Sequence, residues 1–326
     1  MNRYYDGPES PHFDGTRFFN PGGAEPAGFA DLLRWQFDGK RSRWPRSWPP
    51  EPSLTIPDSR VEGSGLRVTM VGHACLLFQL AGLNILTDPV YSRRASPFRN
   101  VGPRRVNEPG IAFENLPPID VVLVTHNHYD HLDVRTLARL QAVHDPLVVT
   151  PLGNDRLILR HIPQMRIHAQ DWGDVLEFRD ARIHCEPAHH WSARGLNDRR
   201  MALWSAFVIE TGAGAIYHIG DTGFHDGINY RAAADRHGGF RLAALPIGAF
   251  EPRWFMRSQH QNPEEAVEGM KLCRAEHAVG HHWGTFQLTN EPIEQPRDDL
   301  LSSLAPAGVE EDRFRPLLPG QSWDVS

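Results

Sequence analysis

From Leu66 onward, short apolar runs alternate with small, charged or proline-rich breaks. LRVTMVG (66–72), CLLFQLAG (75–82) and LNILTDP (83–89) have strand length and are divided by small residues, which predicts a meander. DVVLVTH (120–126) is a continuous apolar run of the type found in strands buried on both faces. Leu137 and Leu140 recur at helical spacing within 132–143, LVVT (147–150) is strand-like, and 153–161 suits a short helix. Further strands are predicted at 174–178, 181–186, 203–209 and 215–219. A helical stretch near 226–236 and a strand at 241–248 follow. Pro263 opens PEEAVEGMKLC, with proline at a helix start and two acids in the first turn, both favourable there. Val279–His282 closes the last predicted strand. This order fits an α+β chain with two sheets sandwiched between helices better than one parallel sheet.

Residues 1–60 read differently. They are rich in Pro, Gly, Arg and aromatics and end in KRSRWPRSWPPEPS (40–53). A helical pattern runs from Ala27 to Phe37, and Pro45–Pro52 resists both helix and central strand. The expected division is an N-terminal stretch, 1–60, either an arm wrapped over the core or a partly mobile leader, and one large domain, 61–326. At 40% hydrophobic and 23% charged residues the chain is globular. A net charge of -6 argues against a general nucleic-acid binder. No apolar run approaches the roughly 18–20 residues needed to cross a bilayer. MNRYYDGPESPHFDG lacks the apolar core of a secretory signal, so none is expected. Cys75, Cys185 and Cys273 are too few and scattered for a disulfide framework or a Cys-based zinc site, and a reducing cytoplasm is the simplest compartment.

The 18 histidines are the outlier, and several cluster with aspartates. Thr125-His126-Asn127-His128-Tyr129-Asp130-His131-Leu132-Asp133 follows the buried run and precedes a predicted helix. In extended backbone His126, His128 and Asp130 share one side, and a turn lets His131 leave it. Asp130 or Asp133 could cap the helix, but capping explains none of the histidines. Glu186-Pro187-Ala188-His189-His190-Trp191, Gly220-Asp221-Thr222-Gly223 and Gly280-His281-His282-Trp283-Gly284 each put a metal-type side chain at a predicted strand end. Alone each reads as a turn or a packing residue. Together with 126–131 they make a full set of imidazole and carboxylate donors. There is no GxSxG elbow, Walker A loop or GxGxxG, and simple alternation points Cys185 away from His190.

HxHxDH, a lone His, a lone Asp in a GD turn and a final His resemble the metallo-β-lactamase signature. LTDPVYSRRASPF, LPPIDVVLVTHNHYDHLD, GDTGF, LPIGAFEPRWFM and HHWGTF are similar to one branch, the N-acylphosphatidylethanolamine-hydrolysing phospholipases D. The resemblance spans roughly Val68 to Asn290 and implies a four-layer αββα sandwich. It implies one zinc held by His126, His128 and His190, a second by Asp130, His131 and His282, and Asp221 bridging both. Iron or manganese would suit the same donors. His190 is preferred to His189 because it directly precedes Trp191, and His282 to His281 because it opens HWGTF. The resemblance makes His189 and His281 supporting residues, and puts the Asp88 turn beneath the site as an orienting group. His73 is either a functional or a satisfied buried histidine. His260 matches a family histidine near the substrate, where it could donate to a phosphate oxygen or protonate a leaving group.

Two divalent ions about 3.5–4 Å apart polarise a shared water. The expected reaction is therefore hydrolysis by a metal-bridging hydroxide, with Asp130, Asp221 and His260 as the residues carrying catalysis. The expected substrate is a phospholipid, or a small molecule with the same bond. A lactonase or other esterase with the same centre remains open, as does a metal-binding protein without turnover. Lys40, Arg41, Arg43 and Arg46 interleave with Trp44 and Trp48, so residues 35–48 suit either an anionic lipid surface or plain packing on the core. The remaining expectations are no nucleic-acid partner, a homodimer, and a cytoplasmic protein peripheral to the inner face of the membrane.

Overall fold

The protein's structure, a computed structural model, describes residues 2–37, 41–49 and 54–326. Its strands form two seven-stranded sheets. The first holds β1 (Leu66–Gly72), β2 (Cys75–Leu80), β3 (Leu83–Thr87), β4 (Val121–Leu123), β5 (Leu147–Pro151) and β6 (Ile167–Gln170). The second holds β7 (Val175–Phe178), β8 (Ala181–Glu186), β9 (Ala206–Thr211), β10 (Gly214–His218), β11 (Phe240–Pro246), β12 (Ala275–His281) and β13 (Phe314–Arg315). β14 (Ser322–Asp324) returns to the first sheet as an antiparallel partner of β1. β1, β2 and β3 are antiparallel, then β3 to β6 run parallel. The second sheet mirrors this, antiparallel from β7 to β10 and parallel from β10 to β13. Parallel strands need covering on both faces, which the helices supply.

The helices are α1 (Phe29–Phe37), α2 (Val134–His144), α3 (Asn154–His161), α4 (Ile228–His237), α5 (Arg253–Met256), α6 (Pro263–Leu272) and α7 (Gln295–Leu304). Three apolar clusters define four layers. Val68, Phe78 and Ile85 meet Ile183, Phe207 and Leu242 between the sheets. Leu137 and Leu140 of α2 and Ile158 of α3 pack on Val122 and Val148 outside the first sheet. Tyr230 of α4, Val267 and Met270 of α6 and Leu300 of α7 cover Val208 and Ala243 outside the second. This is the αββα sandwich that the sequence predicts.

Most elements lie where the hydrophobic runs put them. The strand expected over 203–209 begins only at Ala206, because Trp204 turns into the outer core and the Ser205 N–H donates to the Thr125 carbonyl. The run ending at His282 is the tail of a longer strand, β12. β6, β14 and α7 have no counterpart in the sequence reading; α7, QPRDDLLSSL, buries only Pro296, Leu300 and Leu304.

Within residues 2–60 the described segments lie against both sheets' outer sides. Phe13 and Phe18 are buried in the layer outside the second sheet, and Tyr4 in the layer outside the first. Trp48 packs edge-on against Trp283, ring centroids 5.4 Å apart. Lys40 and residues 50–52, part of the basic and proline-rich stretch, lie outside the described residues.

Candidate metal centre

The site forms where chain ends leave both sheets at the carboxyl ends of parallel strands, the position where open α/β sheets generally bind ligands. β3 delivers Asp88, β4 delivers the 126–131 segment, β10 delivers Asp221, β12 delivers His282, and the turn after β8 delivers His190. The alternation expected for residues 126–130 does not apply. β4 ends at Leu123, and the segment is a turn in which the N–H groups of His131 and Leu132 both donate to the His128 carbonyl. Asp133, not Asp130, caps α2, accepting from the Arg135 N–H. Asp130 is thereby free to face the site.

Two groups of donor atoms converge. His126 Nε2 stands 2.8 Å from His128 Nδ1, and His190 Nε2 stands 3.3 Å from the same atom. Beside them, His282 Nε2 lies 3.2 Å from Asp130 Oδ2, and His131 Nε2 lies 3.6 Å from it. Asp221 Oδ2 reaches both groups: 3.1 Å to His282 Nε2 and 3.2 Å to His131 Nε2, then 3.7 Å to His190 Nε2 and 4.0 Å to His126 Nε2. Gly220 makes the approach of this turn possible. It has φ +66°, and a Cβ there would stand 2.8 Å from the Thr125 side chain.

The donor chemistry fits divalent cations. Tetrahedral ligands about 2.0–2.1 Å from a zinc stand about 3.3–3.4 Å from one another, close to most of these separations. Three rings are held by their other nitrogen, which leaves the inward one free to ligate. His131 Nδ1 donates to Asp88 Oδ2 at 2.8 Å, and His190 Nδ1 to the Gln259 carbonyl at 3.1 Å. Thr125 Oγ1 donates to Asp88 at 2.7 Å, so it accepts from His126 Nδ1 at 3.0 Å. His131 Nε2 and Asp221 Oδ1 are buried without a hydrogen-bond partner among the described residues.

Electrostatics divide the two groups. Burial, then neighbouring imidazoles, hold the His126 ring well below its ordinary range. Burial and His190 push His128 down to about 3, and burial pushes His190 down to about 3 against the pull of Asp221. These three are neutral donors. Burial would also depress His131 and His282, but the carboxylates win. Asp221, Asp88 and Asp130 raise His131 well above its ordinary range, and Asp221 and Asp130 raise His282 to about 9. Burial opposes ionisation of Asp130 and Asp221, yet His131 and its neighbours hold both well below the carboxylate range. The second group therefore pairs two carboxylates with two histidines whose protons a bound cation would replace.

The other expected residues separate into those near and those beside the cluster. Asp88 touches His131 and Thr125 and stands behind the ligand-type atoms. His73 Nε2 lies 2.9 Å from Asp130 Oδ2, and its ring packs against His282 at 4.2 Å, so it faces the cluster. His260 Nδ1 stands 4.0 Å from Asp221 Oδ2, with its side chain 10% exposed against 1% for His190. His189 turns away and stacks on His225 at 4.1 Å. His281 is buried beside His218, 5.1 Å between rings, and no nitrogen of it is hydrogen-bonded among the described residues. His218, Thr125 and Gln259 were not singled out in the sequence. His218 Nε2 stands 3.7 Å from Asp88 Oδ2, and its place at the end of an apolar strand just before Gly220-Asp221 was the available signal. Gln259 acts through a backbone carbonyl, which side-chain chemistry cannot announce.

Residues 83–283 match the profile of the β-lactamase superfamily domain. The chain belongs to the metallo-β-lactamase superfamily. This metallo-β-lactamase-fold chain is 37% identical to N-acyl-phosphatidylethanolamine-hydrolyzing phospholipase D 1 of Caenorhabditis elegans, over 85% of its length and 80% of that protein's. It is 28% identical to a metal-dependent hydrolase of Methanopyrus kandleri, over 79% of its length and 100% of that protein's. Its fold matches a metallo hydrolase of the archaeon Ignicoccus hospitalis with a TM-score of 0.59 at 19% identity, over 80% of this chain and 99% of that one.

Proposed function

We propose that this protein is a binuclear metal-dependent phosphodiesterase of phospholipase D type, acting on N-acylphosphatidylethanolamine-like lipids. The coarser class, a metal-dependent hydrolase of the metallo-β-lactamase fold, follows from its family. The finer reading rests on one observation above all. A chain 37% identical to a phospholipase D of that specificity brings seven donor side chains into one buried cluster.

His126, His128 and His190 would hold one zinc, and Asp130, His131 and His282 the other, with Asp221 between them. Bound there, the ions supply Lewis acidity toward a phosphoryl oxygen and lower the pKa of water to about 7, replacing a Ser or Cys nucleophile. The protein's own groups do the rest. Asp88 fixes His131 through Nδ1, and the Gln259 carbonyl fixes His190. His73 holds Asp130 in line. His260, 4.0 Å from Asp221, would donate to a phosphoryl oxygen. Two residues before it in the chain, Ser258 helps line a cavity of about 380 Å³ together with His189, Phe224, Asp226, Trp254 and Glu265.

Peripheral contact with an anionic lipid surface belongs to the same reading. Leu32 and Leu33 on α1 are exposed, Phe37 is 84% exposed, and Arg34 lies over the exposed Trp254 ring at 4.5 Å. Arg43 and Arg46 are exposed as well. Apolar and basic side chains together suit a headgroup layer. The tryptophans of 35–48 contribute less, because Trp48 is buried and the Trp44 indole N–H donates to the Glu291 carbonyl at 2.9 Å. Among the described residues no helix is long and apolar enough to cross a membrane.

The deciding experiment is a hydrolysis screen of the metal-loaded protein. N-acylphosphatidylethanolamine, a bis-aryl phosphodiester and a lactone panel would be offered side by side. Release of phosphatidate and an N-acylethanolamine is expected. Turnover confined to lactones would overturn the substrate class and keep the centre. For the membrane contact, Arg43→Glu combined with Arg46→Glu should weaken binding to anionic vesicles, and unchanged binding would remove that element.

A further inference from the structure

A second cluster of ligand-type side chains lies on the outer face of the second sheet and shares no residue with the centre above. Arg182, His184 and Glu186 alternate onto one face of β8, toward α4. His237 is the last residue of α4, and Glu210 on β9 pairs opposite Arg182. His184 Nε2 stands 3.1 Å from Glu210 Oε2, and His237 Nδ1 stands 2.8 Å from Glu210 Oε1. The two rings meet edge to face at 4.7 Å. Glu210 is five residues beyond Ser205, whose N–H reaches the metal-site strand at Thr125, or about 17 Å of extended chain.

Two features separate this cluster from an ordinary surface ion network. His237 is almost fully buried and held from behind: its Nε2 lies 3.0 Å from Glu186 Oε1, itself 4% exposed. A carboxylate on one imidazole nitrogen fixes the ring and raises the basicity of the other, the usual support of a metal-ligating histidine. Second, His184 Nε2 faces Glu210 Oε2 at 3.1 Å but off the hydrogen-bonding direction, and it is buried without a hydrogen-bond partner among the described residues. Arg236 binds both oxygens of Glu186 at 2.8 and 2.9 Å, which leaves Glu210 to serve the interior of the cluster. Arg182, 61% exposed, touches Glu210 Oε2 at 2.7 Å and can swing into solvent.

We infer that His184 Nε2, His237 Nδ1 and the Glu210 carboxylate form a second divalent-metal site, of the zinc class, with Glu186 orienting His237. Two imidazoles and one carboxylate are a familiar zinc donor set, and water would complete the shell on the side that Arg182 covers. The site joins β8, β9 and the C-terminal end of α4. Its role is to fasten that helix to the sheet, whatever substrate the catalytic centre takes.

The test is a comparison of zinc equivalents, by elemental analysis and calorimetric titration, in the full-length protein and in His184→Ala. The wild type should bind one equivalent more, and its unfolding midpoint should rise further with added zinc. The variant should keep wild-type hydrolytic activity. Equal equivalents in the two proteins would overturn the site. If His184→Ala does not fold, Glu186→Gln serves instead. It should weaken the extra equivalent by about 10–100-fold, and unchanged affinity would equally overturn the proposal.

Discussion

Asp221 touches both halves of the donor cluster through a single oxygen, lying within 4.0 Å of His126, His131, His190 and His282. Asp221→Ala is therefore expected to abolish hydrolysis and to reduce the metal held at this centre to one ion or none, read by elemental analysis in the His184→Ala background. Neighbouring residues should differ sharply. His190→Ala removes a nitrogen aimed at the cluster, whereas His189→Ala removes a ring stacked on His225, so activity should fall far more in the first. The opposite order would reassign the ligand. Asp88→Ala should leave the fold in place but free the His131 ring, costing about 10–100-fold in metal affinity or activity. The candidate residues were legible because HxHxDH is local in sequence, and because the later strand-end histidines and aspartate, ordinary one by one, complete its donor set. Which neighbour of each His-His pair faces inward rested on motif context. His218, Thr125 and Gln259 escaped notice because they support other residues, through the fold and partly through backbone atoms. Three residues around the site, His73, Asp88 and His282, have φ of 59°, 36° and 64°. Left-handed backbone at non-glycine positions is costly and persists where the surroundings dictate it.

At the scale of elements, the turn between β4 and α2 matters most. A short buried strand ends early, and the chain coils so that four donor side chains point into one space while Asp133 starts the helix. α6 is similarly well begun. Asn262 accepts from the Glu265 N–H at 2.9 Å while the Glu265 carboxylate accepts from the Asn262 N–H at 2.9 Å. Asn262→Ala should lower stability by about 1 kcal/mol, measured by denaturant unfolding, with activity retained. Leu140→Ala, in the fully buried layer beneath α2, should cost about 2–5 kcal/mol. Strands with continuous apolar runs announced themselves. α7 did not, because its buried positions are few, and β14 did not, because three residues carry no pattern. The arm was visible as a change of composition, but its contacts were not. Asn20 Nδ2 donates to the His190 carbonyl at 2.9 Å, and a Cβ on Gly23 would collide with the His189 ring, so this segment braces the very turn that delivers a metal-type histidine.

For the molecule as a whole, two sheets meeting across a shared apolar core leave their parallel strand ends on one edge. No single strand could supply seven donors. The edge gathers them from β4, β8, β10 and β12 and the loops that follow. Binding energy at such a site is also folding energy, because the unfolded chain lacks it. Chelation should lower the unfolding midpoint, by the equivalent of about 2.7 kcal/mol from a metal level 100-fold above its dissociation constant. Asp221→Ala should lose most of that response in a thermal scan. The most direct measurement is anomalous diffraction at the zinc edge from crystals of the metal-loaded protein. Two peaks are expected at this centre, one among His126, His128 and His190 and one among Asp130, His131 and His282, with Asp221 contacting both. An active protein with a single peak there, or with none, would contradict the two-ion centre.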